Sequence, residues 1–147
     1  MKKFLLLMLT ILMMVSCSKE EVETRSDVMV NVTFDGGLAS PTLVRLYNYD
    51  EAKDFDRNAI SEMGDSQKLV DKQGNTILPE YTSDTFTGVN TFKGIEHGKY
   101  LVVAMYKPEG YSFPMFYYYG YKVIDVNDLL MVKIDFEYSD MGEFVEF

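Results

Sequence analysis

Gly98-Lys99-Tyr100-Leu101-Val102-Val103-Ala104-Met105-Tyr106 is the stretch that decides the fold. Its β-branched and aromatic side chains favour an extended backbone, Gly98 leads into it and Pro108-Glu109-Gly110 closes it as a turn, so a strand is expected over residues 99–106. Towards the N-terminus, Val28, Val30, Val32 and Phe34 alternate with Met29, Asn31 and Thr33. That is the period of a strand with one buried face, and Asp35-Gly36-Gly37 ends it. A strand over residues 42–49 has Val44 and Leu46 on one face and Leu43, Arg45, Tyr47 and Tyr49 on the other. Both faces are partly apolar, which suits a strand inside a sandwich. Short strands are expected at residues 67–70, 76–78 and 85–87, and longer ones at 116–124 and 129–138, where Val132, Ile134 and Phe136 alternate with Lys133, Asp135 and Glu137. Residues 50–65 read as a loop with a short helix, from the three- and four-residue recurrence of Ala52, Phe55, Ala59 and Met63. About seven short strands with turns between them, and no long helical pattern, predict an all-β fold, an antiparallel sandwich of the immunoglobulin or transthyretin type.

Upstream of the sandwich, Met1-Lys2-Lys3 precedes nearly unbroken hydrocarbon from Phe4 to Val15, and Ser16 leads to Cys17, the sole cysteine. Positive end, apolar stretch and small exit residue follow the order of a secretory signal. A spanning helix needs about 20 apolar residues, whereas this stretch meets charge after about a dozen, so it reads as a removed peptide. Met14-Val15-Ser16-Cys17 resembles the lipobox of bacterial lipoproteins, with Met14 at the position where leucine is usual. The resemblance implies a lipid on the Cys17 thiol, cleavage before Cys17 and acylation of the new amino group; the alternative is a simple secretory signal with a free cysteine. Three hydrocarbon tails exceed the two signals that stable anchoring takes, at about 0.8 kcal/mol per buried methylene. Next, Ser18-Lys19-Glu20-Glu21 resembles the lysine-plus-acidic export tag of Bacteroidota surface lipoproteins, which implies the outer leaflet of the outer membrane. Read as a solvated acidic linker, the same four residues leave the protein facing the periplasm. The organisation expected is therefore a lipoprotein signal peptide over residues 1–16, a lipidated acidic tether over 17–27 and a β-sandwich domain over 28–147.

The domain, about 130 residues with its tether, can bury a core without disulfides. Acidic side chains outnumber basic ones by 23 to 14, and without Lys2 and Lys3 the 23 acids face 12 bases, a net charge of −11. Such a balance argues against nucleic acid and against a flat approach to an anionic membrane, both of which favour basic faces.

Thr91-Phe92-Lys93-Gly94-Ile95-Glu96-His97-Gly98-Lys99-Tyr100-Leu101-Val102-Val103-Ala104 resembles the phenylalanine, linker, Gly-x-Tyr and apolar strand of transthyretin-like sandwiches. These include carboxypeptidase regulatory-like domains and the fimbrillin-type lipoproteins of Bacteroidota. In that arrangement Phe92 and Ile95 plug one end of the sandwich, Gly98 permits the tight turn, and Tyr100, Val102 and Ala104 return into the core. The resemblance is to a fold that hosts many roles. Its fimbrillin branch implies a pilus subunit or anchor, usually with two sandwich domains and maturation by cleavage after an arginine, here Arg25. Cutting there would remove the lipid without opening a groove for a donor strand. The alternating Glu143-Phe144-Val145-Glu146-Phe147 could serve as such a strand.

Chemistry-bearing residues are few. His97 is the sole histidine, so any histidine-based general base must use it, and it lies in a Glu-His-Gly turn where an exposed ring is expected. One histidine, with a cysteine whose lipidation the lipobox resemblance implies, falls short of a zinc set, and no glycine-rich phosphate loop is present. No enzymatic activity and no cofactor are expected. Asp54, Asp56, Asn58 and Asp65 imitate the spacing of a calcium loop, but Ala59 stands where glycine is needed and an aspartate ends the loop where a bidentate glutamate is usual. A solvated acidic loop is the alternative. Residues 111–121 hold seven aromatics, more than one strand face can bury. Tyr111, Phe113, Tyr117 and Tyr119 are accordingly candidates for a contact surface, while cross-strand aromatic pairing on a covered face is the other reading. Together these features point to an outer-membrane-anchored, surface-exposed lipoprotein acting as a non-catalytic binding or assembly module. Its partners would be the membrane, through the lipid, and a cell-envelope protein or a glycan; the alternative is a fimbrial subunit or anchor.

Overall fold

A computed structural model describes residues 24–59, 68–109 and 117–147. The strands are β1 (Arg25–Phe34), β2 (Gly37–Leu38), β3 (Thr42–Asn48), β4 (Leu69–Val70), β5 (Thr76–Ile77), β6 (Tyr81–Thr85), β7 (Val89–Glu96), β8 (Gly98–Tyr106), β9 (Tyr118–Val126), β10 (Leu130–Phe136) and β11 (Phe144–Glu146). A single helical turn, α1 (Tyr49–Ala52), follows β3, and a 3-10 turn (Tyr138–Asp140) follows β10. The fold is all-β, and two sheets make the sandwich. In the first, β1 lies between β10 on one side and β7 and β2 on the other; the second runs β11-β9-β8-β3-β6. Of these nine strands β2 and β11 have three residues or fewer, which leaves seven longer ones.

β1 opens at Arg25, ahead of the expected Val28, because Arg25 and Ser26 pair with Glu96 and Ile95 of β7. Three residues assigned to the tether therefore belong to the sheet. β1 then runs parallel to β10 over seven register positions, from Val28 opposite Leu130 to Phe34 opposite Phe136. β11 is likewise parallel to β9, and the remaining pairings within the two sheets are antiparallel. The parallel pair arises because the chain crosses from β9 in the second sheet to β10 in the first instead of turning back as a hairpin.

Between the sheets, Val28, Val30 and Val32 meet Val44, Leu46, Val102 and Ala104, and β10 adds Val132, Ile134 and Phe136. Phe92 and Ile95 are buried in this core and Tyr100 joins them. The Tyr100 hydroxyl donates to the Glu96 carbonyl at 3.0 Å across the corner where the chain passes through His97 from β7 to β8. β7 escapes the period-2 reading because its parity breaks. Gly94 takes φ +62°, the register against β1 shifts between Ser26 and Val28, and the Asp27 carboxylate accepts the Gly94 N–H at 3.0 Å. Inward residues consequently step from Asn90 and Phe92 to Ile95.

A second core covers the outer face of the second sheet. Tyr47, Leu101, Val103, Met105, Tyr119 and Tyr121 point outward from β3, β8 and β9, and Ala52, Phe55 and Leu69 close over them. β8 is therefore buried on both faces, which is why its sequence shows a continuous apolar run. The first sheet has no such layer among the described residues.

Candidate functional site

The register gives the sandwich two ends. Arg25, Glu96, Gly98 and Val126 lie at the end where β1 begins; Phe34, Phe136, Thr42, Tyr106 and Tyr118 lie at the other. At the first end the start of β1 is clasped. The Arg25 guanidinium pairs with Glu96 at 2.8 Å, the His97 N–H donates to the Thr24 carbonyl at 2.8 Å, and Ser26 Oγ meets His97 Nε2 at 2.9 Å. The Arg25 and Glu96 side chains are more than half exposed, so that pair is worth about 0–1 kcal/mol. These contacts hold His97 at a structural corner. Because Arg25 is the first residue of β1, cleavage after it would take one residue from the strand.

At the far end an aromatic cap closes the core. Phe34 lies 5.4 Å from Tyr106, 4.9 Å from Tyr118 and 4.8 Å, edge to face, from Tyr138, and Tyr106 stacks on Tyr118 at 5.7 Å. Tyr138 is nevertheless 67% exposed. It borders a cleft of about 420 Å³ that Asp35, Asp135, Glu137 and Ser139 also line. Asp35 and Gly36 both take positive φ and form the two-residue turn from β1 to β2, which sets one wall of the cleft. Lys133, at 2.7 Å, and then Thr33 hold the Asp135 carboxyl below the usual carboxylate range. An exposed ring beside carboxylates can stack on an apolar or sugar face and accept hydrogen bonds. Phe34 and Tyr138 had been legible only as strand residues; the available signal was an aromatic immediately beside a turn.

The Tyr117 ring is half-buried, stacked on Tyr119 at 5.8 Å with the Lys107 ammonium 5.2 Å from its centroid. Tyr119 is 1% exposed, which corrects its expected outward role. The second core covers it, with Phe144 edge-on at 6.5 Å, so cross-strand packing on a covered face describes this ring. Tyr111 and Phe113 lie outside the described residues, as do Cys17, Ser18, Lys19, Glu20 and Glu21. Tyr106 and Tyr118, the last residue of β8 and the first of β9, pair with each other at the end opposite Arg25.

Asp54, Asp56 and Asn58 border a separate cleft of about 330 Å³, together with Lys53, Arg57 and Lys72. Asp56 is engaged locally, accepting the Asn58 N–H at 2.9 Å, and Asp65 lies outside the described residues. Among the described residues no three acidic, histidine or cysteine side chains group to hold a metal ion. Arg57 instead reaches Glu146 at 3.3 Å and lies over the Tyr121 ring at 4.9 Å.

Those contacts also fix β11. The Tyr121 hydroxyl donates to Glu146 at 2.5 Å, Phe144 packs on Phe55 and Tyr121, and Phe147 enters the first core against Phe136, where a side chain at Gly120 would overlap its ring. Burial, and then the Glu146 carboxylate, push the Tyr121 hydroxyl up to about 12; burial, with Tyr81 and Glu80 beside it, does the same for Tyr100. Both keep their protons in the folded state above the ordinary value of 10.0, so their stabilising contribution is complete below about pH 10 and is lost by about pH 12. The denaturation midpoint should fall across that window, and Tyr121→Phe should lessen the fall. A midpoint flat from pH 10 to 12 would contradict the burial of these hydroxyls.

No family model and no curated protein matches the chain. Among solved structures it is similar to a group B streptococcus pilus 2b backbone protein, at 13% identity and a TM-score of 0.41, over 76% of this chain and 40% of that one. It is also similar to a pilus-presented adhesin, Cpa, at 10% identity and a TM-score of 0.33, over 88% of this chain and 29% of that one. The chain thus spans less than half the length of either structure.

Proposed function

We propose that the chain is an outer-membrane lipoprotein, anchored through Cys17, that acts as a non-catalytic binding or assembly module on the cell surface. The observation that carries the reading is its polarity. The lipobox-like Met14-Val15-Ser16-Cys17 and the tag-like Ser18-Lys19-Glu20-Glu21 lie just upstream of the clasped start of β1. The exposed Tyr138, its cleft and the strand ends that bracket the aromatic segment lie at the opposite end. A domain tethered at one end presents the other to partners, a cell-envelope protein or a glycan. Protease treatment of intact cells tests the surface placement. The wild-type chain should be digested, and replacing Lys19, Glu20 and Glu21 with alanine should protect it without lowering its abundance. Equal sensitivity of both forms would reduce the tag to a plain linker.

One observation favours the fimbrial alternative: β11 already occupies the β9 edge as an added three-residue strand. A strand so placed can be exchanged between copies, and that reading expects an open-ended polymer.

A further inference from the structure

We infer that the cleft beside Tyr138 receives an arginine side chain of a partner protein. This rests on the binding-module reading and names the partner's chemistry. One wall of the cleft is an aromatic ring held by the core. Phe34, itself packed against Tyr106 and Tyr118, meets Tyr138 edge to face at 4.8 Å, a contact that takes at most one face of the Tyr138 ring. The ring is 67% exposed, and among the described residues no cation lies over it. Elsewhere the protein makes that pairing within itself: the Arg57 guanidinium lies 4.9 Å from the Tyr121 centroid and 3.3 Å from the Glu146 carboxylate. Tyr138 stands among carboxylates in the same way, and its cation would come from another molecule.

Charge and shape select the occupant. Asp35, Asp135 and Glu137 line the cleft, and Asp140 belongs to the same 3-10 turn as Tyr138. Lys133 pairs with Asp135 at 2.7 Å, but no described base pairs with Asp35, Glu137 or Asp140. Glu109 deepens the excess, since its charge reaches Tyr106 beneath the cap, while the Lys107 ammonium lies against Tyr117. This balance repels anions and favours a cation over a neutral sugar, because each contact to a cation is charge-assisted. A guanidinium can stack flat on a tyrosine while its edge forks to carboxylates, which a compact ammonium cannot do at once. The backbone under both unpaired walls is fixed: Asp35 takes φ +48° in the turn from β1 to β2, and Glu137 caps the 3-10 turn by accepting the Asp140 N–H. At about 420 Å³ the cleft is within the range of small-ligand sites.

An NMR titration of the purified full-length chain in detergent tests this, with the probe an acetylated and amidated Gly-Arg-Gly peptide. The Gly36 and Ser139 amide signals should shift saturably with a dissociation constant on the order of 1 mM, as suits one stacked and ion-paired side chain. Salt should weaken the binding, and peptides with lysine or the neutral isostere citrulline in place of arginine should bind at least about fivefold more weakly. Tyr138→Ala should weaken it about fivefold and Asp35→Asn about threefold. Asparagine accepts the positive φ of Asp35, so the turn and the melting temperature should persist in the second variant. Asp125→Asn removes the same charge from the exposed surface at the tethered end and should leave binding unchanged. The inference would be overturned by the absence of saturable shifts up to about 20 mM peptide, well above the expected constant, or by citrulline or lysine peptides binding as tightly. Equal weakening by Asp35→Asn and Asp125→Asn would also overturn it, as attraction to the overall charge. Saturable binding of maltose at the same amides, with none of the arginine peptide, would overturn it in favour of a sugar site. All of these outcomes are read on the purified chain, so protection from protease on cells, which would count against the surface placement, moves none of them.

Discussion

Phe55→Ala should cost about 3–5 kcal/mol of folding stability, the range for removing a buried phenylalanine, and lower the melting temperature by roughly 10–20 °C. Phe55 is 5% exposed although it sits in a segment whose sequence reads as a loop. Its ring meets Tyr121 at 5.2 Å and Phe144 at 5.3 Å, both edge to face, and the Arg57 guanidinium lies 5.9 Å from its centroid. Removing it leaves a cavity over Tyr121, withdraws one of the aromatic supports of β11 and exposes the outer face of β8 and β9 to water. Total stability for a domain of this size is about 5–15 kcal/mol, so the variant should sit near the edge of folding. Phe86→Ala supplies the contrast: Phe86 is 76% exposed and its loss should change stability by less than about 0.5 kcal/mol. Equal and small effects from the two would mean that the segment around Phe55 does not fasten to the sheet.

Phe55 also marks where the sequence stops being readable. β1 and β10 announce themselves because one face of each is wet and the alternation survives in the residue types. β8 announces itself by the opposite route, a run too apolar for any exposed face. β7 is hidden, since Gly94 and the bulge against Asp27 shift Ile95 out of phase with Phe92. The second core is hidden for a different reason. Phe55, Leu69, Tyr121 and Phe144 come from four separated segments, and nothing local to any one of them specifies the others. That is also why Tyr119 was open to an outward reading: alternation places its ring on the face opposite Tyr118, but cannot say that a further layer covers that face. Strand direction is equally non-local. Whether β10 pairs with β1 in parallel depends on the crossover from β9 between the sheets, not on either strand's composition. The far-end cap was legible only in parts, Phe34 before the Asp35-Gly36 turn and Tyr138 at the end of an expected strand, because their meeting requires that same crossover.

Cys17→Ala should abolish acyl labelling completely and leave the unprocessed precursor. The thiol is the only atom in the chain able to take a thioether-linked lipid, since the sequence has one cysteine. Without the lipid, a signal peptidase that cuts before a modified cysteine has no substrate, so the apolar stretch from Phe4 to Val15 stays attached. At about 0.8 kcal/mol per buried methylene, one acyl chain of a dozen or more carbons supplies on the order of 10 kcal/mol, and three together make release negligible on a cellular timescale. Loss of the thiol should therefore change labelling and apparent mass. The sandwich itself should melt as before: the first backbone tie to the described fold is the Thr24 carbonyl with the His97 N–H, seven residues beyond Cys17. Retained labelling would overturn the lipoprotein reading outright. A variant cut at the same place as an equally unlabelled wild type would identify a simple secretory signal, in which Cys17 carries nothing and the domain is released from the membrane.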